Sequence, residues 1–330
     1  MKEKPFFSVI IPLYNKKRSI ERAVNCVLNQ SFSDFEVLVV DDGSTDDGVG
    51  SLATITDDRL RIIHQENKGG AGGQARNTGM SQANGSWFAF LDADDLWLPN
   101  HLEELVAIID EAQQPALIST KPIELNEGEE LGDCKAAARS VRKIDYFRES
   151  ARAVGLNNCS SSAIHREIFD RLGGFIYARS GPDLEYWARV ALHYPVFLSS
   201  MVTSIYYRGN MGNMEQLARE RRRTLSPIRD LADISPSLAM LAQLSEKDPS
   251  ILRREDIRLY INGRLRSGMR GSIRQSNPSR AREYRRLMIS PIDAHSWFWS
   301  TCSHLPGYVL RFLNSVYSYR KSTSRKGSSA

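Results

Sequence analysis

Three carboxylates within four positions, Asp92, Asp94 and Asp95, close the stretch Ser86-Trp87-Phe88-Ala89-Phe90-Leu91. Four of the six residues before them are large and apolar or aromatic, the texture of a short buried strand. Residues two apart on a strand project to one side, which aims Asp92 and Asp94 together and turns Ala93 away. Two carboxylates about 4 Å apart repel by roughly 4 kcal/mol at an effective dielectric near 20. A strand end that keeps such a pair is suited to holding a cation. A solvated turn whose Asp side chains cap the next helix fits the triplet as well.

Alternating strands and helices lead to this stretch. Phe6-Phe7-Ser8-Val9-Ile10-Ile11-Pro12 is an apolar run stopped by proline, as for an interior strand of a parallel sheet. Ile20, Ala23, Val24 and Val27 then recur at helical spacing. Phe35 to Val40 reads as a second strand running into Asp41-Asp42-Gly43-Ser44-Thr45-Asp46, followed by a weaker helix through Val49, Leu52 and Ala53. Leu60 to His64 is a third strand, followed by a glycine loop over residues 69–73 and a helix through Ala75, Gly79 and Ala83. Such alternation predicts a doubly wound, mostly parallel (Rossmann-like) α/β sheet, whose ligands lie at the carboxyl ends of the strands. The glycine loop suits either a phosphate cradle or a plain turn.

Beyond the acidic stretch, the spacing predicts a helix from His101 to about Glu111, a strand over Ala116–Thr120 and a polar surface excursion over 124–143. A short helix from Arg166 to Leu172 ends at Gly173-Gly174. A loop from Ile176 to Pro182 precedes a helix that begins at Asp183, and two strands, Val196–Leu198 and Thr203–Tyr207, follow. His165 reads as a surface histidine. From about Met214 the texture turns to arginine-rich helices, including Arg221-Arg222-Arg223 and Arg285-Arg286, then to an aromatic stretch from Ser296 to Tyr319. The last ten residues have the composition of a disordered tail.

The chain has 330 residues, 41% hydrophobic and 25% charged, ordinary for a globular protein with room for one α/β core and an appendage. Cys26, Cys134, Cys159 and Cys302 are widely separated and form no CxxC pair, which argues against a zinc site or a disulfide scaffold and suits a reducing compartment. No signal-peptide layout and no run of about 18 apolar residues is present, so the expected location is cytoplasmic. Residues 201–330 carry 23 Lys+Arg against 10 Asp+Glu, a balance of +13, whereas the whole chain is only +5. The basic half is expected to face anionic surfaces.

The ordered set Ser8-Val9-Ile10-Ile11-Pro12-Leu13-Tyr14-Asn15, Val40 to Asp46, Asn67 to Gly79 with Ala75-Arg76-Asn77, and Leu91 to Trp97 resembles the family 2 inverting glycosyltransferases of GT-A fold, over roughly residues 5–210. The resemblance implies transfer of a sugar from a UDP-sugar to an acceptor hydroxyl, in surface polysaccharide or glycoconjugate synthesis, by a hexosyl- or N-acetylhexosaminyltransferase. It implies a GT-A domain over 1–212, with a nucleotide-binding half to about 123 and an acceptor half over 124–212, and a basic helical extension over 213–330.

A nucleobase asks for a flat apolar face and an acceptor for its imide N–H, which Tyr14 and Asp41 can supply. By resemblance Asp41 reads the uracil, Arg76 lies near base and phosphates, and Pro12, Asp42, Asp92 and Ala93 complete the nucleotide-sugar site. Asp94 is then the ligand of Mn²⁺ or Mg²⁺, a hard cation that neutralises the departing diphosphate. Inverting transfer also needs a general base opposite the leaving group, for which Asp183 is the candidate and Glu185 the competitor; a plain helix cap is the other role open to Asp183. Pro182 stands where the family carries Glu, and Gly209-Asn210 follows Tyr207-Arg208 where the family often has a metal-binding histidine.

Other readings remain open. A nucleotidyltransferase shares the sheet and the acidic site, and a non-catalytic scaffold would retain UDP binding. For the tail, Trp297, Phe298, Trp299 and Tyr308 beside arginines suit the headgroup level of an anionic membrane, reached by a lipid-linked or carbohydrate acceptor, or else a packing or homo-oligomer surface. No nucleic-acid partner is expected, because no binding motif accompanies the arginines.

Overall fold

A computed structural model describes residues 4–126, 128–129, 131, 138–152, 156–208, 227–275, 277–292 and 294–304. Its strands are β1 (Phe7–Leu13), β2 (Phe35–Asp41), β3 (Leu60–His64), β4 (Trp87–Phe90), β5 (Leu96–Trp97), β6 (Leu117–Asn126), β7 (Val141–Ile144), β8 (Ser162–His165) and β9 (Val196–Arg208). The helices are α1 (Ile20–Leu28), α2 (Gly73–Gln82), α3 (His101–Ala112), α4 (Tyr146–Ser150), α5 (Arg166–Leu172), α6 (Pro182–Ala191), α7 (Pro236–Lys247), α8 (Glu255–Arg274), α9 (Pro278–Arg286) and α10 (Ala294–Cys302).

All strands join one sheet in the order β3-β2-β1-β4-β8-β6-β9-β5, with β7 added on β9. The first four are mutually parallel, and antiparallel pairings enter at β8. This is the mixed, doubly wound α/β sheet that the apolar runs predict. β1 and β2 are buried nearly throughout, because helices cover both faces of a parallel sheet. Their register sets Leu13 opposite Asp41, so the two strands end level. Gly79 lets α2 lie directly on the sheet: a Cβ there would sit 2.5 Å from Ile10 Cγ2.

Some elements differ from the sequence reading. The weak helix near Val49 is one 3₁₀ turn, Gly50–Leu52. The excursion expected from residue 124 begins later, because β6 runs to Asn126 paired with β9, and Val141–Ile144 forms β7. The two closing strands are one 13-residue strand, β9, because β6 pairs along it on both sides of a register shift near Ser119–Lys121. Local hydropathy drops at Ser199-Ser200 and imitates a break, yet backbone pairing continues through it.

The chain divides into two compact units, one of Met1–Tyr146 with Gly155–Arg223, the other of Phe147–Val154 with Thr224–Ala330. In the second, Met269, Ile273 and Ala281 form a small core against Tyr284, Met288, Trp299 and Cys302. Arg221 to Arg223, Gly209-Asn210, Tyr308 and the expected disordered tail lie outside the described residues. No helix among the described residues is long and apolar enough to cross a membrane.

Candidate functional site

A cavity of about 330 Å³ opens at the carboxyl ends of β1, β2 and β4. β1 delivers Pro12, Leu13 and Tyr14 to its wall, and Lys16 follows in the turn. Asn15 has φ +51°, a left-handed conformation that Asn adopts more readily than most residues. Its carboxamide oxygen accepts from Thr45 N–H at 2.8 Å, and its own N–H donates to Ser44 Oγ at 3.1 Å. The turns after β1 and β2 are thereby stitched together. Tyr14 is 40% exposed, so a flat ring face remains available on the rim.

Asp41 and Asp42 are both buried at the end of β2. Asp41 accepts from Ser44 N–H at 3.0 Å and lies 3.2 Å from His64 Nδ1. Asp42, which lines the cavity, accepts from Gln65 Nε2 at 2.5 Å and from Lys68 N–H at 3.0 Å, anchoring the start of the glycine loop. In that loop Gly69, Gly70, Ala71 and Gly72 all have positive φ, between +50° and +77°. Such a run is strained for Ala71 and natural for its glycine neighbours. It carries the chain round to α2, and Tyr177 packs over Gly70, 3.3 Å from where a Cβ would stand.

Arg76, on the first turns of α2, is 5% exposed and pairs with Asp92. Burial works against its charge, but the adjacent Asp92 carboxylate prevails and the pKa is raised. Its Nη1 reaches Ala71 O at 3.4 Å, while Nε–H finds no acceptor among the described residues. A buried donor left unpaired costs about 1–3 kcal/mol.

The acidic triplet does not behave as an extended strand. β4 ends at Phe90, and Asp95 N–H bonds to Asp92 O at 3.0 Å, so residues 92–95 form a turn. Alternation therefore does not set the carboxylates side by side; each takes its own partner. Asp92 meets Arg76, and Asp94 meets Lys16 Nζ at 2.5 Å. Asp95 is 1% exposed and accepts from Ser160 Oγ–H at 2.5 Å and Tyr207 N–H at 3.1 Å. Burial, then the charges of Asp92 and Asp94, push its pKa well up. Ser160 Oγ in turn accepts from Asp92 N–H at 3.0 Å, so Asp95 braces the turn from beneath and is no helix cap.

Asp183 is the second residue of α6, after Gly181 (φ +72°) and Pro182. It does not line the cavity wall itself. Burial raises its pKa, the Arg76 charge opposes that, and Asp92 adds to it, so the carboxylate is close enough to feel both. Glu185, the competing base, is 2% exposed and bonded to Arg189 at 2.8 Å. Arg189 also donates to Leu172 O and Gly174 O, so the pair staples the loop that precedes Asp183. His165 is not a free surface histidine. It is partly buried edge-on against Trp87 at 5.1 Å, accepts from Glu167 N–H at the start of α5, and its pKa is lowered by burial.

The cavity therefore gathers Pro12, Tyr14, Asp42, Arg76, Asp92, Ala93 and Asp94, with Asp41 behind Asp42 and Asp183 beyond the wall. Two residues to which the sequence assigns no role belong here. Lys16 holds Asp94, and its only signal is a lysine just after a strand-end aromatic. Asn77 forms a reciprocal pair with Phe175, 2.8 Å in each direction, which fixes the loop leading to Asp183. Its signal is its place beside Arg76 in a helix, where Asn has low propensity.

Among the described residues no three His, Cys, Asp or Glu side chains cluster to cage a metal. The donor set nonetheless fits a hard divalent cation of the kind held by one or two carboxylates and completed by phosphate oxygens. The Lys16 ammonium already stands at the Asp94 carboxylate as an internal cation.

A sequence model described as Glycosyl transferase family 2 matches residues 8–173. Over 113 residues the chain is 37% identical to "Glycosyltransferase GlyG" of Streptococcus pneumoniae serotype 4, covering 34% of this chain and 37% of that protein. Over 102 residues it is 37% identical to the Escherichia coli "UDP-Glc:alpha-D-GlcNAc-diphosphoundecaprenol beta-1,3-glucosyltransferase WfgD", covering 31% and 40%. The matched stretch thus spans well under half of these curated relatives. Among solved structures, S. aureus TarS 1-349 in complex with UDP-GlcNAc superposes with a TM-score of 0.64 at 17% identity, over 96% of this chain and 92% of that one. At that identity the likeness shows a shared fold.

Proposed function

The chain belongs to glycosyl transferase family 2, and from that membership we propose that it transfers a sugar from a UDP-sugar to an acceptor hydroxyl with inversion at the anomeric carbon, using residues 1–212 as the transfer domain and 213–330 as a basic helical extension. The observation that carries the reading is the cavity at the strand ends. It joins a flat exposed ring, a buried guanidinium with an unpaired N–H, and three carboxylates, Asp42, Asp92 and Asp94. Relatives named for UDP-glucose transfer to a lipid-linked diphosphate sugar, or bound to UDP-GlcNAc, support a hexosyl or N-acetylhexosaminyl donor and a glycoconjugate acceptor in polysaccharide assembly.

In this reading Tyr14 offers its face to the base, and Asp41 accepts the imide proton. The positive charge of the Arg76 guanidinium meets the nucleotide, while Pro12, Asp42 and Ala93 shape the wall. Asp92 orients Arg76 and faces the ribose. Asp94 would hold Mn²⁺ or Mg²⁺, which when bound offsets the charge that accumulates on the departing diphosphate. Asp183 takes the acceptor proton as the hydroxyl oxygen bonds to C1 and the C1–O bond to UDP breaks. A carboxylate with a raised pKa is a stronger base than an ordinary aspartate, which suits that role.

The test is a panel of nucleotide sugars assayed with Mn²⁺ for release of UDP. Asp94→Ala and Asp183→Asn should each lower turnover at least about a hundredfold with melting temperature unchanged. Near-normal turnover in either variant, or release of pyrophosphate from a nucleoside triphosphate and a sugar phosphate, would overturn the assignment.

A further inference from the structure

In the second unit, helix α10 is gripped along one face by arginines of α8 and α9. Arg266 donates to Ser296 Oγ at 2.9 Å and Arg285 Nε to Ser300 Oγ at 2.6 Å. Arg282 reaches Ser303 O at 3.4 Å, and Arg270 lies over the Trp299 ring at 5.1 Å. Residues 296, 299, 300 and 303 thus form the inner face, at the spacing of a helix. That rotation turns Trp297 and Phe298 outward, 63% and 54% exposed, with Ile292 also exposed just before the helix. Arg282 and Arg285 of the neighbouring helix α9, which hold Ser303 and Ser300, are themselves exposed.

Two large aromatic side chains on the outer face of a helix whose inner face is packed and hydrogen-bonded are costly in water. Several features point to one occupant. The apolar element is two rings and one Ile, far short of the roughly 800 Å² per partner that a stable protein interface buries. Its rim is cationic, and residues 305–330, which follow directly, carry five Lys+Arg and no Asp or Glu. Trp and Phe beside arginines match the level of lipid headgroups, where the rings enter the interface and guanidinium groups meet phosphate.

We propose that the Trp297–Phe298 face of α10 docks on an anionic phospholipid surface, with Arg282 and Arg285 as its cationic rim. This surface shares no residue with the nucleotide cavity and does not depend on the transfer reading. Attachment there brings the enzyme to the plane in which lipid-linked acceptors lie.

The experiment is flotation of the full chain with vesicles of phosphatidylcholine alone and of phosphatidylcholine mixed with phosphatidylglycerol. Wild type should float with the anionic vesicles and not with the neutral ones, and its partitioning should fall with added salt. The double variant Trp297→Ser, Phe298→Ser should partition about tenfold less or weaker, with unchanged melting temperature and unchanged UDP binding. A second variant, Trp297→Tyr with Phe298→Leu, should retain flotation. The proposal is overturned if wild type stays with the soluble fraction, or if the serine variant floats as well as wild type. It is equally overturned if the serine substitutions convert a dimer to a monomer by light scattering, which would make the face a contact between copies. Loss of UDP binding in wild type itself would count against the nucleotide site and leave this surface standing.

Discussion

Removing the Asp95 side chain tests whether the acidic turn is braced from below. In Asp95→Ala, Ser160 Oγ–H and Tyr207 N–H, bonded at 2.5 and 3.1 Å, both lose their acceptor in a region closed to water. Each stranded donor costs roughly 1–3 kcal/mol, giving about 2–6 kcal/mol in all. At about 2–4 °C per kcal/mol for a domain of this size, melting should fall by roughly 4–24 °C. Asp95→Asn keeps the shape, with its oxygen accepting from Tyr207 N–H and its NH2 donating to the rotated Ser160 hydroxyl, so its loss should stay under about 1.5 kcal/mol.

The pH dependence has a definite sign. Asp95 has a folded-state pKa raised by burial and by Asp92 and Asp94, so the folded protein holds a proton that the unfolded chain has released. Its contribution to stability is present below the ordinary carboxylate pKa and declines as pH rises through the raised one. The Asn variant lacks that slope, and the gap between wild type and Asn should narrow as pH rises. Differential scanning calorimetry from acid to neutral pH reads both effects. An Ala variant as stable as Asn, or a gap that widens with pH, would refute the bracing argument.

Further outcomes follow from the same contacts. The acid limb of kcat/KM should lie above the ordinary aspartate range, because burial raises the Asp183 pKa, and turnover should climb as pH passes through it. Asp92→Asn should move that limb to lower pH, since it removes a charge that holds the pKa up and leaves Arg76 free to lower it. A limb that stays in place would contradict the coupling. Glu185→Gln should destabilise by about 1–3 kcal/mol through the weakened Arg189 staple while turnover stays within about tenfold of wild type, which distinguishes it from Asp183→Asn in a paired melting and activity assay. Lys16→Met removes the ammonium that shares the Asp94 carboxylate, so Mn²⁺ titrated calorimetrically without nucleotide should bind about tenfold more tightly than to wild type. Equal or weaker binding would show that the two cations do not compete.

Much of the first unit is legible in order along the chain. An apolar run that both faces of a sheet must bury looks the same wherever it occurs, so Val9 to Ile11 and Val37 to Val40 announce their strands, and the polar residues that follow announce the ligand rim. Tyr14 and Asp42 reach one cavity because β1 and β2 end level, while Asp92 and Asp94 arrive on the turn after the shorter β4 and Arg76 on α2. The sequence also separates an acidic front from a basic extension, since charge needs no fold to be counted.

Other features arise only when distant segments meet. Asp92 and Asp94 read as a like-charged pair on a strand; the fold bends them into a turn and supplies Arg76 and Lys16 as separate partners. Glu185 reads as a possible base until Arg189, one helical turn on, ties it to the loop after α5. β9 reads as two strands because hydropathy falls at Ser199-Ser200, whereas β6 continues to pair beside it. His165 reads as surface until Trp87 closes over it. Periodicity reports what each residue does to its near neighbours along the chain. Partners brought together by chain topology leave no local mark, and that is why tertiary structure alone decided which carboxylates are spoken for and which remain turned to the cavity.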